Sequence, residues 1–186
     1  GPGGPARPDM GFAQLSKLIS KGAVLRQEAQ KKEQAKLMMW KGRVALVKTA
    51  KNLMAKKDIG GAAAAYEKYL RVLEICFETE KGGLSPAIFK QEAKKQELTV
   101  ITSVYWDLMR IYDSSPKYGD RQTKAAQKLA TFARHSTIYP LIMRKAERDA
   151  KSAKNPKVYK QFLKDAGGGR ARCFVATSAF EGEFDP

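Results

Sequence analysis

The chain is poor in the residues on which catalytic and metal sites depend. Its 186 residues include one histidine and two cysteines, and these do not have the spacing of a metal site. A Cys–His nucleophile pair would need His135 to lie beside Cys76 or Cys173, which the sequence cannot show. Gly167 to Gly169 are not followed by the Lys-Ser or Lys-Thr pair of a phosphate-binding loop. We therefore predict a protein that is not an enzyme and that has no metal or cofactor.

Long hydrophobic runs are also absent. No apolar stretch reaches the length of a transmembrane segment, and the N-terminus lacks the charged-then-apolar pattern of a signal peptide. Two distant cysteines without a disulfide framework favour a reducing, cytoplasmic compartment. Residues 1–9, GPGGPARPD, are typical of a protease-cleavage remnant and linker, so we expect the native fold to begin near Met10.

Positive charge is abundant but unevenly distributed. Of the formal net charge of +16, residues 10–58 carry twelve basic and three acidic side chains, a net of +9, and residues 121–164 carry twelve and two, a net of +10. Lysine and arginine neutralise phosphates regardless of base sequence. The candidate polyanion-binding residues are therefore Lys31, Lys32, Lys36, Lys41, Arg43, Arg121, Lys124, Lys128, Arg144, Lys145 and Arg148.

Hydrophobic periodicity predicts a helical hairpin at the centre of the chain. The spacing 4-3-4-3 places one set of residues on a single helical face: Ala62, Tyr66, Tyr69, Leu73 and Cys76. A shorter stripe upstream faces it, and Asp58, Gly60 and Gly61 are expected to supply the turn between the two helices.

The remaining sequence extends this pattern to an all-α domain. Ser85-Pro86 and Asn155-Pro156 have the order of a helix cap followed by a first helical residue. The β-branched run at residues 100–104 has helical spacing, and Glu97 is interpreted as an ordinary surface acid of that helix. We predict five to seven antiparallel helices in residues 10–166, followed by a glycine linker and an extended, non-helical tail in residues 167–186.

The central hairpin resembles one tetratricopeptide-type repeat, in which small residues let two antiparallel helices approach closely. The residues that carry the resemblance are Ala50, Leu53, Ala62 and Tyr66. Lys57 stands where such repeats prefer glycine and Tyr69 where they prefer alanine, and no second copy follows at the same period. An isolated hairpin, as in small transport-associated three-helix domains, fits the same residues.

The tail carries a second resemblance. Residues 173–180, CFVATSAF, resemble the CFI-box, a C-terminal motif of bacterial proteins of roughly the form C-F-I-A-T-A-A-Y-G. Ser178 replaces the usual alanine, and Glu181 stands in place of the glycine. The resemblance implies a bacterial origin and a modular tail.

The tail is expected to dock on a groove of the helical domain or on a partner, through an apolar set of residues. That set is Cys173, Phe174, Val175 and Phe180. An alternative is that Cys173 is a reactive or modified thiol beside Arg170 and Arg172.

The favoured function is a helical adaptor that binds a protein partner through a groove, with the tail as a docking or modification element. The alternative is a binder of nucleic acid or anionic surfaces through the two basic segments. A third hypothesis, a bacterial effector or immunity-associated component, rests only on the proteins in which CFI-box tails occur.

Overall fold

The computed structural model describes residues 11–91 and 94–167, and these contain six α-helices and no β-strand. The prediction of an all-α fold with five to seven helices is confirmed. Two short 3-10 turns, Pro86–Phe89 and Pro116–Tyr118, precede the third and fourth helices. The helices are α1 (Phe12–Ala55), α2 (Ile59–Cys76), α3 (Lys95–Tyr112), α4 (Gly119–Ala133), α5 (Tyr139–Ala150) and α6 (residues 156–167).

The described chain divides into two compact units at the boundary between Gly42 and Arg43. The first unit, described for residues 11–42, consists of the N-terminal part of α1. Residues 26–36 are strong helix formers with little apolar content, so this part of α1 can be helical without an apolar face to bury. None of the described helices contains a stretch long and apolar enough to cross a membrane.

The second unit, described for residues 43–91 and 94–167, is organised around α3. This helix packs against α2 on one side and α4 on the other, and Ile101, Val104 and Met109 are completely buried. Such burial on several sides explains why the β-branched run at residues 100–104 forms a helix, as its spacing predicts. Edge-to-face ring contacts join Phe89 to Phe77 and to Phe132, with centroids 5.1 and 5.9 Å apart.

The turn between α1 and α2 differs in detail from the expected one. Gly60 and Gly61 lie in the first turn of α2, and Lys57 supplies the reversal with a φ of 66°. The Asp58 carboxylate accepts a hydrogen bond of 2.9 Å from the Gly61 N–H and caps α2. A Cβ at Gly61 would lie 2.6 Å from Asp58 Oδ2, so a side chain there would make the capping carboxylate shift.

The helix expected to start at Ser85-Pro86 is interrupted. Pro86 opens only the 3-10 turn that ends at Phe89, and α3 begins at Lys95. Because Phe89 is fully buried against two other rings, the chain has to change direction there before α3 can pack on the core. The predicted start of α6 is confirmed, with Pro156 at its first residue. Helix α5 begins at Tyr139 with Pro140 in its first turn and with no side-chain cap.

Candidate functional site

A buried tyrosine–carboxylate–arginine cluster joins the end of α1 to α2 and α3. The Tyr69 hydroxyl donates to Glu97 Oε2 at 2.6 Å, and an Arg43 nitrogen lies 3.1 Å from Glu97 Oε1. Glu97 is only 7% exposed, so its interpretation as a surface acid is wrong. Burial raises the pKa of Tyr69, and the Glu97 charge raises it further. These polar and charged groups satisfy one another by hydrogen bonding and ion pairing inside the fold.

Two further tyrosine–carboxylate hydrogen bonds join α2 to α3. The Tyr66 hydroxyl donates to Asp107, and the Tyr112 hydroxyl donates to Glu67 at 2.9 Å. Burial raises the pKa of Tyr112 to about 12, and Glu67 acts in the same direction. Both phenols therefore remain protonated donors at neutral pH.

Asp113, just after α3, is a polar hub between distant segments. Its Oδ1 accepts hydrogen bonds from the Gln122 amide at 3.0 Å and from the Asn155 N–H at 2.9 Å. Its Oδ2 accepts from the Lys154 N–H at 2.8 Å. The carboxylate thus satisfies two backbone donors at the start of α6, where a helix has no intrahelical partners for them.

A concave site in the second unit lies between the 3-10 turn Pro86–Phe89, the start of α3 and the segment that joins α4 to α5. Its volume is about 630 Å³. Phe89 and Leu98 are among its lining residues but are themselves buried, and the Thr99 and Thr137 hydroxyls, which also line it, lie 3.3 Å apart. Its cationic residues are Lys90, Lys95 and Arg134, His135 also lines it, and no acidic residue is among the described residues that line it. We call this site the basic pocket.

The polyanion candidates on α1 are mostly exposed. Lys31, Lys32 and Lys41 are exposed, and Lys36 lies 3.7 Å from Glu33. Arg43 is instead committed to the buried cluster with Glu97. The described part of the first unit carries seven basic and two acidic residues, a net of +5.

The candidates on α4 and α5 have mixed roles. Arg121 and Lys124 are exposed on α4, but the Lys128 ammonium donates to the Leu84 carbonyl at 2.6 Å. Burial lowers the pKa of Lys128, while the Glu74 charge acts in the opposite direction. On α5, Arg148 lies 3.0 Å from Asp149. Arg144 is exposed and Lys145 is half-buried.

A stripe of exposed apolar side chains runs along the first turns of α1. Helical geometry of 100° per residue places its members within an arc of about 140°. Each of them is between 47% and 87% exposed. We call this set the α1 stripe: Phe12, Leu15, Leu18, Ile19 and Leu25. The helical spacing of these residues is visible in the sequence, but their exposure, which makes them a candidate binding site, is visible only in the structure.

The tail candidates Cys173, Phe174, Val175 and Phe180 lie outside the described residues. Within residues 11–91 and 94–167, no group of three or more His, Cys, Asp and Glu residues could hold a metal ion. His135 is exposed and lines the basic pocket. The absence of catalysis stays a prediction.

Comparisons of this chain with protein-family models, with curated proteins and with solved structures find no match in any of the three. Within the described residues, the surface features that bear on function are the α1 stripe, the exposed cations and the basic pocket.

Proposed function

We propose that the chain is a non-enzymatic helical adaptor that binds a partner protein through the α1 stripe. The supporting observation is the exposure of five large apolar side chains on one face of a single helix. Contiguous exposed apolar surface of this kind is typical of interaction sites. At 1.5 Å per residue, residues 12–25 extend over about 21 Å, the length of a short helix-in-groove contact.

The charges beside the stripe indicate what kind of partner it takes. Lys17, Lys21 and Arg26 are the charged residues between positions 11 and 27, and all three are exposed. At 100° per residue Arg26 falls within the arc of the stripe, Lys21 lies about 40° beyond its edge, and Lys17 lies on the far side of the helix. The proposed occupant is therefore an amphipathic helix of another protein whose apolar face carries acidic residues at its border, where they meet Lys21 and Arg26.

The affinity expected for this contact is modest. Full burial of a large apolar side chain contributes about 1.5–3 kcal/mol, and the stripe residues are already partly covered by their own helix, which leaves about 1 kcal/mol each. Association costs offset part of that sum. A total of about 5 kcal/mol before those costs corresponds to a dissociation constant no tighter than about 0.2 mM, so the contact of the stripe alone is expected to be weak and readily reversible.

The test uses two designed helical peptides with the same leucine stripe, one flanked by glutamates and the other by lysines. Fluorescence polarisation of the labelled peptides with the full chain is expected to show binding at least ~10-fold tighter for the glutamate-flanked peptide. The double variant Leu15→Gln, Ile19→Gln keeps helix propensity, and it should weaken that binding at least ~10-fold because two stripe side chains are lost.

The matched control is Val24→Gln, since Val24 is equally exposed but lies on the opposite side of the helix. It should change the dissociation constant by less than about twofold. Equal binding of the two peptides, or full binding by the double variant, would contradict the proposal.

Binding of nucleic acid through the exposed cations of α1 is the second candidate, supported by Lys31, Lys32 and the net charge of the first unit. A labelled DNA duplex in the same assay separates the two. Nucleic-acid binding predicts tight binding of the duplex with a steep salt dependence, and the triple variant Lys31→Glu, Lys32→Glu, Lys36→Glu should abolish that binding. If this is observed while the acidic peptide is not bound, the second candidate replaces the first.

A further inference from the structure

Helices α5 and α6 of the second unit form a pair with a high density of positive charge. Residues 144–164 contain eight basic and two acidic side chains, a net of +6 in 21 residues. Five residues, 151–155, connect the two helices, and the Tyr139 hydroxyl at the start of α5 donates to the Ala166 carbonyl near the end of α6 at 3.3 Å. The two helices are therefore antiparallel neighbours, with axes about 8–10 Å apart.

Exposed cations form one row on each of these helices, on the side opposite to the buried residues. At 100° per residue, each row falls within an arc of about 60°. Because both helices bury their other side in the core of the second unit, the two rows point outward next to each other. We call this set the cationic rows: Arg144, Arg148 and Lys151 on α5, and Lys157, Lys160 and Lys164 on α6.

The described fold leaves most of these charges without a counter-charge. Of the two acids in the segment, Asp149 lies 3.0 Å from Arg148 and 3.9 Å from Arg110, and Glu147 is half-buried one turn before Lys151. No carboxylate in residues 11–91 and 94–167 forms an ion pair with the other cations of the rows, which are Arg144, Lys157, Lys160 and Lys164. The rows therefore present positive charge that the described part of the chain does not neutralise.

The surface around the rows lacks the apolar side chains that other kinds of partner require. Residues 139–167 are all described, and Leu141, at 40%, is the one large apolar side chain among them that is exposed. A protein interface has an apolar core, and a helix that lies in a membrane surface needs an exposed apolar face. Tyr159 and Phe162 are buried, so α6 presents no ring on which the bases of a single strand could stack.

We propose that the cationic rows bind the phosphate backbone of a nucleic-acid duplex, independently of its base sequence. At 1.5 Å per residue, the row on α6 extends over about 11 Å. A duplex carries one charge per about 1.7 Å of its axis, so that length of duplex presents ~6 phosphates, which is comparable to the number of cations in the rows. Lysine and arginine side chains without base-reading partners are suited to this backbone contact.

The consequence is that the chain has two separate binding surfaces. The cationic rows share no residue with the α1 stripe or with the cations of α1, so this inference does not rest on either of them. If the stripe binds its acidic partner, that partner is attached to nucleic acid through the second unit.

The test is fluorescence polarisation of a labelled DNA duplex of about 20 base pairs with the full chain, at about 50–200 mM salt. Neutralisation of at least four phosphates predicts a slope of log K against log salt of about −4 or steeper. The triple variant Lys157→Gln, Lys160→Gln, Lys164→Gln should weaken binding at least ~30-fold at about 0.1 M salt, and it should make the slope less steep by about 2–3.

The matched control removes three charges from exposed lysines of the same unit that lie outside the rows, in the triple variant Lys56→Gln, Lys68→Gln, Lys81→Gln. It should weaken binding by less than about threefold, because charges that do not contact the duplex are screened over about 10 Å at 0.1 M salt. All six substitutions are at exposed positions, and glutamine keeps helix propensity, so both variants should keep the fold. Circular dichroism verifies this.

Loss of duplex binding in the first variant, together with nearly unchanged binding in the control, supports the proposal. Equal effects of the two variants would mean general attraction by a positive surface and would overturn it, as would the absence of duplex binding at about 50 mM salt. Tighter binding to the single strand or to vesicles that contain phosphatidylserine would also overturn it. So would duplex binding that the triple glutamate variant of α1 abolishes and the variant of the rows leaves intact. Binding of the acidic peptide to the α1 stripe is measured separately, so failure of one proposal is distinguished from failure of the other.

Discussion

Replacing Asp113 by asparagine tests whether one carboxylate joins α3, α4 and α6. In the structure this side chain accepts three hydrogen bonds, from the Gln122 amide and from the Lys154 and Asn155 N–H groups, at 2.8–3.0 Å. Asparagine has the same shape, but it offers one acceptor oxygen and turns two donors toward groups that are themselves donors. The substitution therefore isolates hydrogen bonding from packing.

The magnitude follows from the partners. In its better orientation the asparagine oxygen keeps the bonds from Gln122 and Asn155, and the amide group faces the Lys154 N–H, which is exposed and can turn to water. One hydrogen bond to a charged acceptor is lost, and two are weakened to neutral ones. Bonds to charged groups contribute about 1.5–3 kcal/mol and neutral ones about 0.5–1.5 kcal/mol. Because the partners are partly exposed, the lower ends of these ranges apply, and we expect a loss of about 3.5 kcal/mol. Asp113→Ala, which removes all three bonds, should cost about 4.5 kcal/mol.

The assay is urea denaturation followed by circular dichroism, with the slope of the transition used to verify that the unfolded states are comparable. Hydrogen exchange adds a local measurement. Because the carboxylate caps the start of α6, the amides of residues 154–158 should exchange faster in Asp113→Asn before any other part of the core does.

The control is Asp165→Asn, an exposed aspartate on α6 whose side chain accepts from Gln161 at 2.8 Å. It should cost less than about 0.5 kcal/mol. If the two asparagine variants were equally stable, or if Asp113→Asn accelerated exchange evenly over the second unit, the hub assigned to Asp113 would be refuted.

Two further predictions concern strain and pH. Lys57→Gly should raise the free energy of unfolding by about 0.5 kcal/mol, because a left-handed residue with a side chain costs about 1 kcal/mol and the extra unfolded-state entropy of glycine offsets part of the gain. The control is Lys56→Gly, at a residue with an ordinary backbone conformation, which should lower the free energy of unfolding. If both variants lowered the free energy of unfolding equally, the strain assigned to Lys57 would be contradicted. Stability should also fall as pH rises through 10 toward 12, because the folded pKa of Tyr112 is raised to about 12 and the unfolded chain ionises first, near 10. Urea transitions at pH 8, 9.5 and 11 measure this loss of stability, and Tyr112→Phe should make the loss smaller. A free energy of unfolding that does not change over this pH range would contradict the prediction. Burial acts in the same direction on the pKa values of Tyr66, Tyr69, Tyr105 and Tyr159.

The sequence predicts the helices well because their signals are local. The spacing of apolar residues in α2 and α3 depends only on positions three and four apart, and the Asn155-Pro156 pair before α6 acts over a single turn. The interrupted helix after Ser85 shows the limit. Its cause is the burial of Phe89 between Phe77 and Phe132, a contact between residues that are distant in sequence.

The roles of charged residues are less visible in the sequence. Glu97 lies four and seven residues before Ile101 and Val104, on the same helical face, and this spacing indicates that it faces the core. Its residue type favours the opposite prediction, because glutamate is mostly exposed in folded proteins. Lys128 and Arg43 cannot be distinguished from solvated cations by composition, since their acceptors are the Leu84 carbonyl and Glu97. The Asp113 hub joins segments about 40 residues apart, which no periodicity encodes.

The buried and the exposed charged residues of the fold differ in sign. Glu74, Glu97 and Asp107 are buried or nearly so, each bonded or paired within the second unit, while most cationic candidates remain exposed. The molecular surface is therefore more positive than the balance of residues alone suggests, and polyanions of many kinds should be attracted to it at low salt. Such attraction cannot by itself identify a function. Only binding that also depends on apolar contacts, such as those of Leu15 and Ile19 in the α1 stripe, separates a specific partner from general electrostatic association.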